Sequence, residues 1–203
     1  MDTALLVIQI LNGVQLGLLL FLVASGLTLV FGILDFVNLA HGSLYMLGAF
    51  ICATLTFVVG DFLLAVLISL PAMAAIGWAV ERFVAQPLYS RDHLDHVLGT
   101  FGVILVVDAL THMIWGPEGL AVPLPDWLSG QVALGSVVIP SFRLLIIGSG
   151  LAAAAGLFWL VNYTRLGMLI RAGASNRAMV SALGINIQLL FAFVFAIGAV
   201  LAG

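Results

Sequence analysis

The chain has 203 residues, 64% of them hydrophobic and only 7% charged, with a net charge of −3 and no lysine. Soluble domains carry about a quarter charged residues, so a soluble globule is excluded, and charge this thin and scattered excludes nucleic acid as a partner. A single cysteine, Cys52, excludes an internal disulfide and a cysteine-based metal cage. The fold class that remains is all-α: a polytopic transmembrane helical protein with about six visible spans, forming one domain over residues 1–203.

The N-terminus, Met-Asp-Thr, lacks the basic n-region of a cleavable signal, and the apolar run behind it is too long for an h-region. That first run, Ala4–Leu34, is also too long for one upright span, because about 31 residues make roughly 46 Å of helix. It is expected to tilt strongly, to break, or to begin with an interfacial turn. Gln9, Asn12 and Gln15 recur every three residues and line one drifting stripe. Such a stripe in lipid faces either a translocation path or a neighbouring helix to which it hydrogen-bonds. Asn12, Gln15 and Thr28 are therefore pathway candidates. Gly13 and Gly17 form a small-xxx-small pair that lets another helix approach.

The next block, GLTLVFGILDFVNLAHGSLYMLGAF, places Asp35, Asn38, His41 and Ser43 within nine positions. Polar residues so dense predict a helix break beside a pathway, because irregular backbone at membrane depth is tolerated only where protein or water satisfies it. Asn38 and His41 join the pathway candidates, with a purely helix-breaking role for His41 as the alternative. Asp35, His41 and Ser43 carry no nucleophile-elbow or oxyanion-loop signature. No catalytic or metal-ligating residue is assigned.

Spans Ser43–Val59 and Phe62–Val80 follow, separated by Asp61 in a tight outer hairpin. Arg82 and Arg91 then share a short polar gap. The span Val97–Trp115 contributes Thr100 as a pathway candidate. It also holds Asp108 and His112, four apart on one face, whose spacing suits a proton relay or a simple local pair. The stretch Gly116–Ser141 has no basic residue. Its prolines and glycines predict an irregular segment, and the loose alternation over Gln131–Ile139 a small hairpin. Trp115 and Trp127 suit the interfacial aromatic belt.

The span Arg143–Val161 repeats small residues at Gly148, Ala152 and Gly156, a packing face. After it, residues 162–187 form a polar loop with Arg165, Arg171 and Arg177, helix-permissive from Met168 to Leu183 and closed by Gly184. Arginines collect in cytoplasmic loops. The Arg82–Arg91 and Arg165–Arg177 stretches are therefore inside and Gly116–Ser141 outside. If the first run crosses once, parity puts the N-terminus outside. A last apolar run begins near Ile187 and stops at Gly203 without a polar flank, as expected of a chain that continues further.

In order along the chain, NGVQLG, SGLTLVFGILDFVNLAHGSLYMLGAF, AVERFVAQPLY and TRLGMLIRAGASNRAMVSALGIN resemble the inner-membrane permease subunits of branched-chain amino acid ABC importers. The NLAHG block with its YMLG continuation and the TRLG…RA…LGIN block are the specific parts of this resemblance. It implies a multi-pass protein of the bacterial inner membrane that binds no cofactor. Its partners would be membrane lipid, a second related permease, two cytosolic ATPases that use ATP, and a periplasmic solute-binding protein. Neither a Walker motif nor any lysine is present, so ATP use falls to a partner.

The resemblance also places an ATPase-coupling element in the inner loop, with Arg165, Gly167, Arg171, Ala172, Arg177, Ala178, Gly184, Ile185 and Asn186 as its residues. Arg177 is expected to meet an acidic edge of the ATPase. Gly173, Ala174 and Ser175 replace a stretch that often holds an acid in the family, and Asp108 stands where an uncharged amide is more usual. The solute implied is a branched-chain or related amino acid. Urea and short amides are alternatives within the same group. An ion-coupled carrier built on Asp108 and His112, and a purely structural membrane subunit, are the readings from other classes.

Overall fold

The computed structural model describes residues 3–122, 125–134 and 137–203. Helices α1 (Thr3–Leu34), α2 (His41–Val59) and α3 (Phe62–Val80) come first. A π-helical turn (Glu81–Ala85) and a short α4 (Gln86–Leu88) lead to α5 (His93–Trp115). Strands β1 (Gln131–Leu134) and β2 (Val137–Pro140) precede α6 (Ser141–Tyr163), α7 (Arg165–Ser175), α8 (Arg177–Ala182) and α9 (Ile187–Ala202). Among the described residues five helical stretches are long and apolar enough to cross a membrane, and α9 is a shorter apolar sixth.

The first run does not break. Helix α1 is continuous over 32 residues, about 48 Å at 1.5 Å per residue against roughly 30 Å of hydrocarbon. A continuous helix of that length accommodates the mismatch by tilting or by laying its first turns in the interface. Its interior hydroxyls are satisfied within the helix: Ser25 donates to the Leu22 carbonyl at 2.8 Å and Thr28 to that of Ala24 at 2.7 Å. The break lies just beyond, at residues 35–40. Asp35 ends α1 in the left-handed region, at φ 49°, a conformation that Asp tolerates better than most residues.

The α2–α3 hairpin is as tight as its sequence predicts. Gly60 closes α2 at φ 75° with its N–H on the Thr56 carbonyl, and the Asp61 carboxylate caps α3 by accepting from the Leu64 N–H at 2.9 Å. The expected polar gap from Arg82 to Arg91 is mostly helical, however. The π turn and α4 extend α3, leaving residues 89–92 as the link to α5. The outer hairpin forms with Gln131 opposite Pro140 and Val132 opposite Ile139. The inner loop splits into two helices at Asn176, whose extended backbone and side-chain cap on the Met179 N–H start α8 afresh.

Helix α9 is the centre of the molecule. It packs between α1 and α3 and buries Leu190, Phe191, Val194, Phe195 and Ala199. Its apolar residues run all round, as burial on several sides requires. Lipid gives no hydrophobic drive for helix association, so close backbone approach through small residues supplies the contact. A Cβ on Gly26 would lie 2.8 Å from the Gly198 carbonyl, and one on Gly77 would lie 2.5 Å from the Ala199 Cβ. The small residues singled out by spacing behave differently. A Cβ on Gly13, Gly17, Gly148 or Gly156 would meet nothing within 4 Å, whereas one on Gly150 would lie 3.2 Å from Leu18. Those predicted packing faces are thus open within this chain.

Candidate functional site

Most of the candidate residues fall in two regions: the helix break with its surroundings, and the segment from α7 to the start of α9. In the break, Phe36 is fully buried against Tyr89, His96 and Phe195. Thr100 donates to the His96 carbonyl at 2.8 Å and accepts from the Leu39 N–H at 3.3 Å, so α5 supplies a partner to backbone that has left the helix. His41, at the first turn of α2, places Nε2 2.9 Å from the Val23 carbonyl on α1. Its ring also underlies Gly26 where α1 meets α9. Both polar atoms of the Asn38 side chain, and Nδ1 of His41, are buried without a hydrogen-bond partner. Asp35 lies 3.7 Å from His93, while His41 faces Val23, so Asp35, His41 and Ser43 do not assemble as a triad.

The six pathway candidates do not share one surface. Asn38, His41 and Thr100 cluster in the interior around the break. Asn12 sits at the other end of α1, where its Oδ1 accepts from the Arg143 guanidinium of α6. Gln15 is half-buried one turn further on. Thr28 lines an apolar groove of about 470 Å³ between α1, α6 and α7. Asp108 and His112 form a pair at 3.7 Å, both more than half exposed on the C-terminal half of α5. Trp115 does more than anchor at an interface: its Nε1 donates to Thr54 Oγ1 at 2.7 Å and its ring packs on Phe50, tying α5 to α2.

At its C-terminal end, α6 turns sharply into α7. Thr164 Oγ1 donates to the Leu160 carbonyl and accepts from the Gly167 N–H, and a Cβ on Gly167 would fall 2.1 Å from the Val161 oxygen. Arg171 donates to that same Val161 carbonyl. Helix C-termini leave carbonyls unpaired and favour cations, so Thr164 and Arg171 both cap α6. Arg177 reaches inward. It donates to the Ile33 carbonyl at 2.8 Å and stacks over the Phe191 ring at 5.4 Å. Within this chain, Arg177 is therefore held by a bond to α1. The last carbonyls of α1 lack helical partners, and the Arg177 guanidinium, brought there by the fold from 144 positions along the chain, serves one of them.

Ile170, Gly173 and Val180 bury the inner side of this segment. Its other side presents Ala172, Ala178, Met179, Ala182 and Leu183, all exposed, with Arg165 at its start. Gly184 makes the turn out of α8 at φ 81°, Ile185 is half-buried, and Asn186 caps α9 by accepting from the Leu189 N–H at 3.1 Å. The arrangement is a firmly seated two-helix shelf with a small-residue and apolar outer face.

The pattern of residues did not single out Glu81. It is 2% exposed in the π turn, where Tyr89 donates to its Oε1 at 3.0 Å. Burial and the neighbouring Glu81 charge push the Tyr89 pKa far up, so this hydroxyl remains a donor. An acid next to Arg82 at a helix end looks solvated in the sequence, and the packing of α5 and α9 around the π turn, with Tyr89 on the carboxylate, decides otherwise.

Residues 9–203 match the family described as "Branched-chain amino acid transport system / permease component". Relatives include the high-affinity branched-chain amino acid transport system permease protein BraD of Pseudomonas aeruginosa, 32% identical over 206 residues. The corresponding LivH proteins of Salmonella typhimurium and Escherichia coli K12 are 29% identical over 210 and 212 residues. Each alignment covers 96% of this chain and 67% of the relative, so the chain spans about two thirds of their length. No solved structure matches.

Proposed function

The chain belongs to the permease-component family of branched-chain amino acid transport systems, and on that premise we propose that it forms the membrane path of an ATP-driven importer of branched-chain or related amino acids in the bacterial inner membrane. As a transport subunit it performs no chemistry itself. Its partners are a second related permease, two cytosolic ATPases that use ATP, and a periplasmic binding protein that delivers the solute. The family relationship is what carries this reading, and urea and short amides are the alternative solutes within it.

The inner-face shelf supports the coupling role. A segment that transmits force between subunits has to be braced against the spans and bare on its other side. Helices α7 and α8 meet both requirements, through Gly167, Arg171 and Arg177 on the braced side and Ala172 and Ala178 on the bare one. We assign residues 162–187 as the coupling loop on this basis. The buried break, with Asn38, His41 and Thr100, has the character of a hinge between α1 and α2. Asn12, Gln15 and Thr28 remain the candidates on α1 for contact with the solute.

Affinity purification of the chain from its native membrane, followed by uptake assays after reconstitution, tests this reading. Recovery of two ATPase copies with ATP-dependent leucine, isoleucine or valine uptake is expected. Uptake driven by an ion gradient in the absence of any ATPase would overturn it in favour of a self-sufficient carrier.

A further inference from the structure

At the inner ends of α3 and α9 lies a cavity of about 420 Å³ that none of the preceding roles uses. Its lining is of two kinds. Glu81 and Arg82 on the π turn, Gln86 on α4, and Asn186 and Gln188 at the start of α9 are polar, while Trp78, Leu189 and Ala192 form an apolar wall. That wall continues into an apolar groove of about 310 Å³ running up the α3–α9 seam past Ala74 and Ala196. Cavities of a few hundred cubic ångströms with an apolar lining and a few convergent polar groups are the usual form of small-molecule sites.

The charges in this cavity are unfinished. Glu81 is buried, yet the hydrogen bond it receives is the neutral one from Tyr89, at Oε1. A buried carboxylate is costly without a cation beside it, and no ion pair to Glu81 forms among the described residues. Arg82 donates to Gln86 Oε1 and otherwise stands exposed. Across the cavity, Asn186 caps the 16-residue α9 through its side chain, which serves the Leu189 N–H. The N–H groups of the first turn and the helix dipole then favour an anion. One acid, one base with a helix N-terminus, and an apolar wall surround a single space. Such a lining is complementary to a zwitterion with a hydrocarbon side chain.

We propose that this cavity binds an apolar α-amino acid at the inner face of the protein. Glu81 takes the ammonium group, Arg82 and the N-terminus of α9 take the carboxylate, and Trp78, Leu189 and Ala192 receive the side chain. The ligand chemistry follows from the lining, while its identity with the transported solute rests on the proposed function. Because the site bridges the π turn and α9, an amino acid accumulated inside holds these two elements together.

The test uses the assembled importer in lipid nanodiscs without its binding protein, with radiolabelled leucine as the probe. Saturable binding is expected, and Glu81→Gln and Arg82→Gln should each weaken it about ten-fold or more, the effect of losing one charge-assisted contact. Gln at position 81 still accepts from Tyr89, so the π turn keeps its internal bond. Ala192→Phe fills the apolar wall and should abolish binding. Two leucine analogues separate the charges: 3-methylbutylamine lacks the carboxylate and 4-methylpentanoate lacks the ammonium, and both should compete about ten-fold less well or worse. Absence of leucine binding, equal binding by all three variants, or equal competition by the analogues would overturn the site. Binding-protein-dependent uptake by the same importer is scored separately. Uptake without inner-face binding removes this site alone, and inner-face binding without uptake removes the transport reading alone.

Discussion

The guanidinium of Arg177 donates to the backbone carbonyl of Ile33 at 2.8 Å, joining residues 144 positions apart. This bond fastens α8 to the inner end of α1, immediately before the break at residues 35–40. The bond thus ties the shelf to the place where α1 gives way to α2.

Arg177→Ala removes both this bond and the stacking on Phe191. Hydrogen bonds from a charged donor contribute about 1.5–3 kcal/mol, and the lower end applies here because Arg177 is only half-buried. Hydrogen exchange over residues 165–186 should accelerate, and ATP-driven uptake should fall several-fold while the protein still inserts. Unchanged exchange in that segment would show that Arg177 does not secure α8.

Ala178→Trp places a large side chain on the exposed face of the shelf without disturbing its buried side. If that face docks onto an ATPase, co-purification of the ATPase or its coupling to uptake should be lost. Full uptake with normal ATPase retention would assign the shelf to the membrane surface instead.

Gly26→Ala should destabilise by about 1–3 kcal/mol, the range for overpacking, because the new methyl would lie 2.8 Å from the Gly198 carbonyl. Gly13→Ala meets nothing within 4 Å in this chain and is the internal control. Thermal denaturation in detergent should separate the two. Equal midpoints would mean that α1 and α9 are not in contact at Gly26.

His41→Leu loses the contact with the Val23 carbonyl in a buried site. A loss of about 1–3 kcal/mol is expected from the unmade bond. Expression and assembly should drop more than solute preference changes. Normal abundance with an altered solute profile would instead make His41 a solute contact.

An impermeant thiol reagent checks the arrangement in the membrane. Single cysteines at Arg91 and Arg165, in a background with Cys52 replaced, should react from the cytosolic side, and one at Glu118 from the outer side. Reaction of Arg91 and Arg165 positions from outside would invert the topology set by the arginine distribution.

Composition by itself determined that this is a polytopic helical membrane protein, since so few charges cannot clothe a soluble surface. Local chemistry determined more. Gly60 and Asp61 specify a tight hairpin, and the polar cluster from Asp35 to Ser43 specifies a break. The loop Gly116–Ser141 specifies its small hairpin, and the ordered motifs specify the family. These features depend on neighbours in sequence, which is why they are legible there.

Only the tertiary structure decided which small residues are contacts. Gly13, Gly17, Gly148 and Gly156 have the spacing of packing faces but stand open, whereas Gly26, Gly77 and Gly198 carry the approach of α9 to α1 and α3. Spacing reports that a helix face is smooth, but another helix has to be brought to it before contact exists. Arg177 and Glu81 show the same limit for charge. The Arg177 bond to Ile33 has no signal in its neighbours along the chain, and Glu81, which looks solvated in the sequence, is buried. The environment of a charged side chain is set by elements distant in the chain, and here the central placement of α9 decides both.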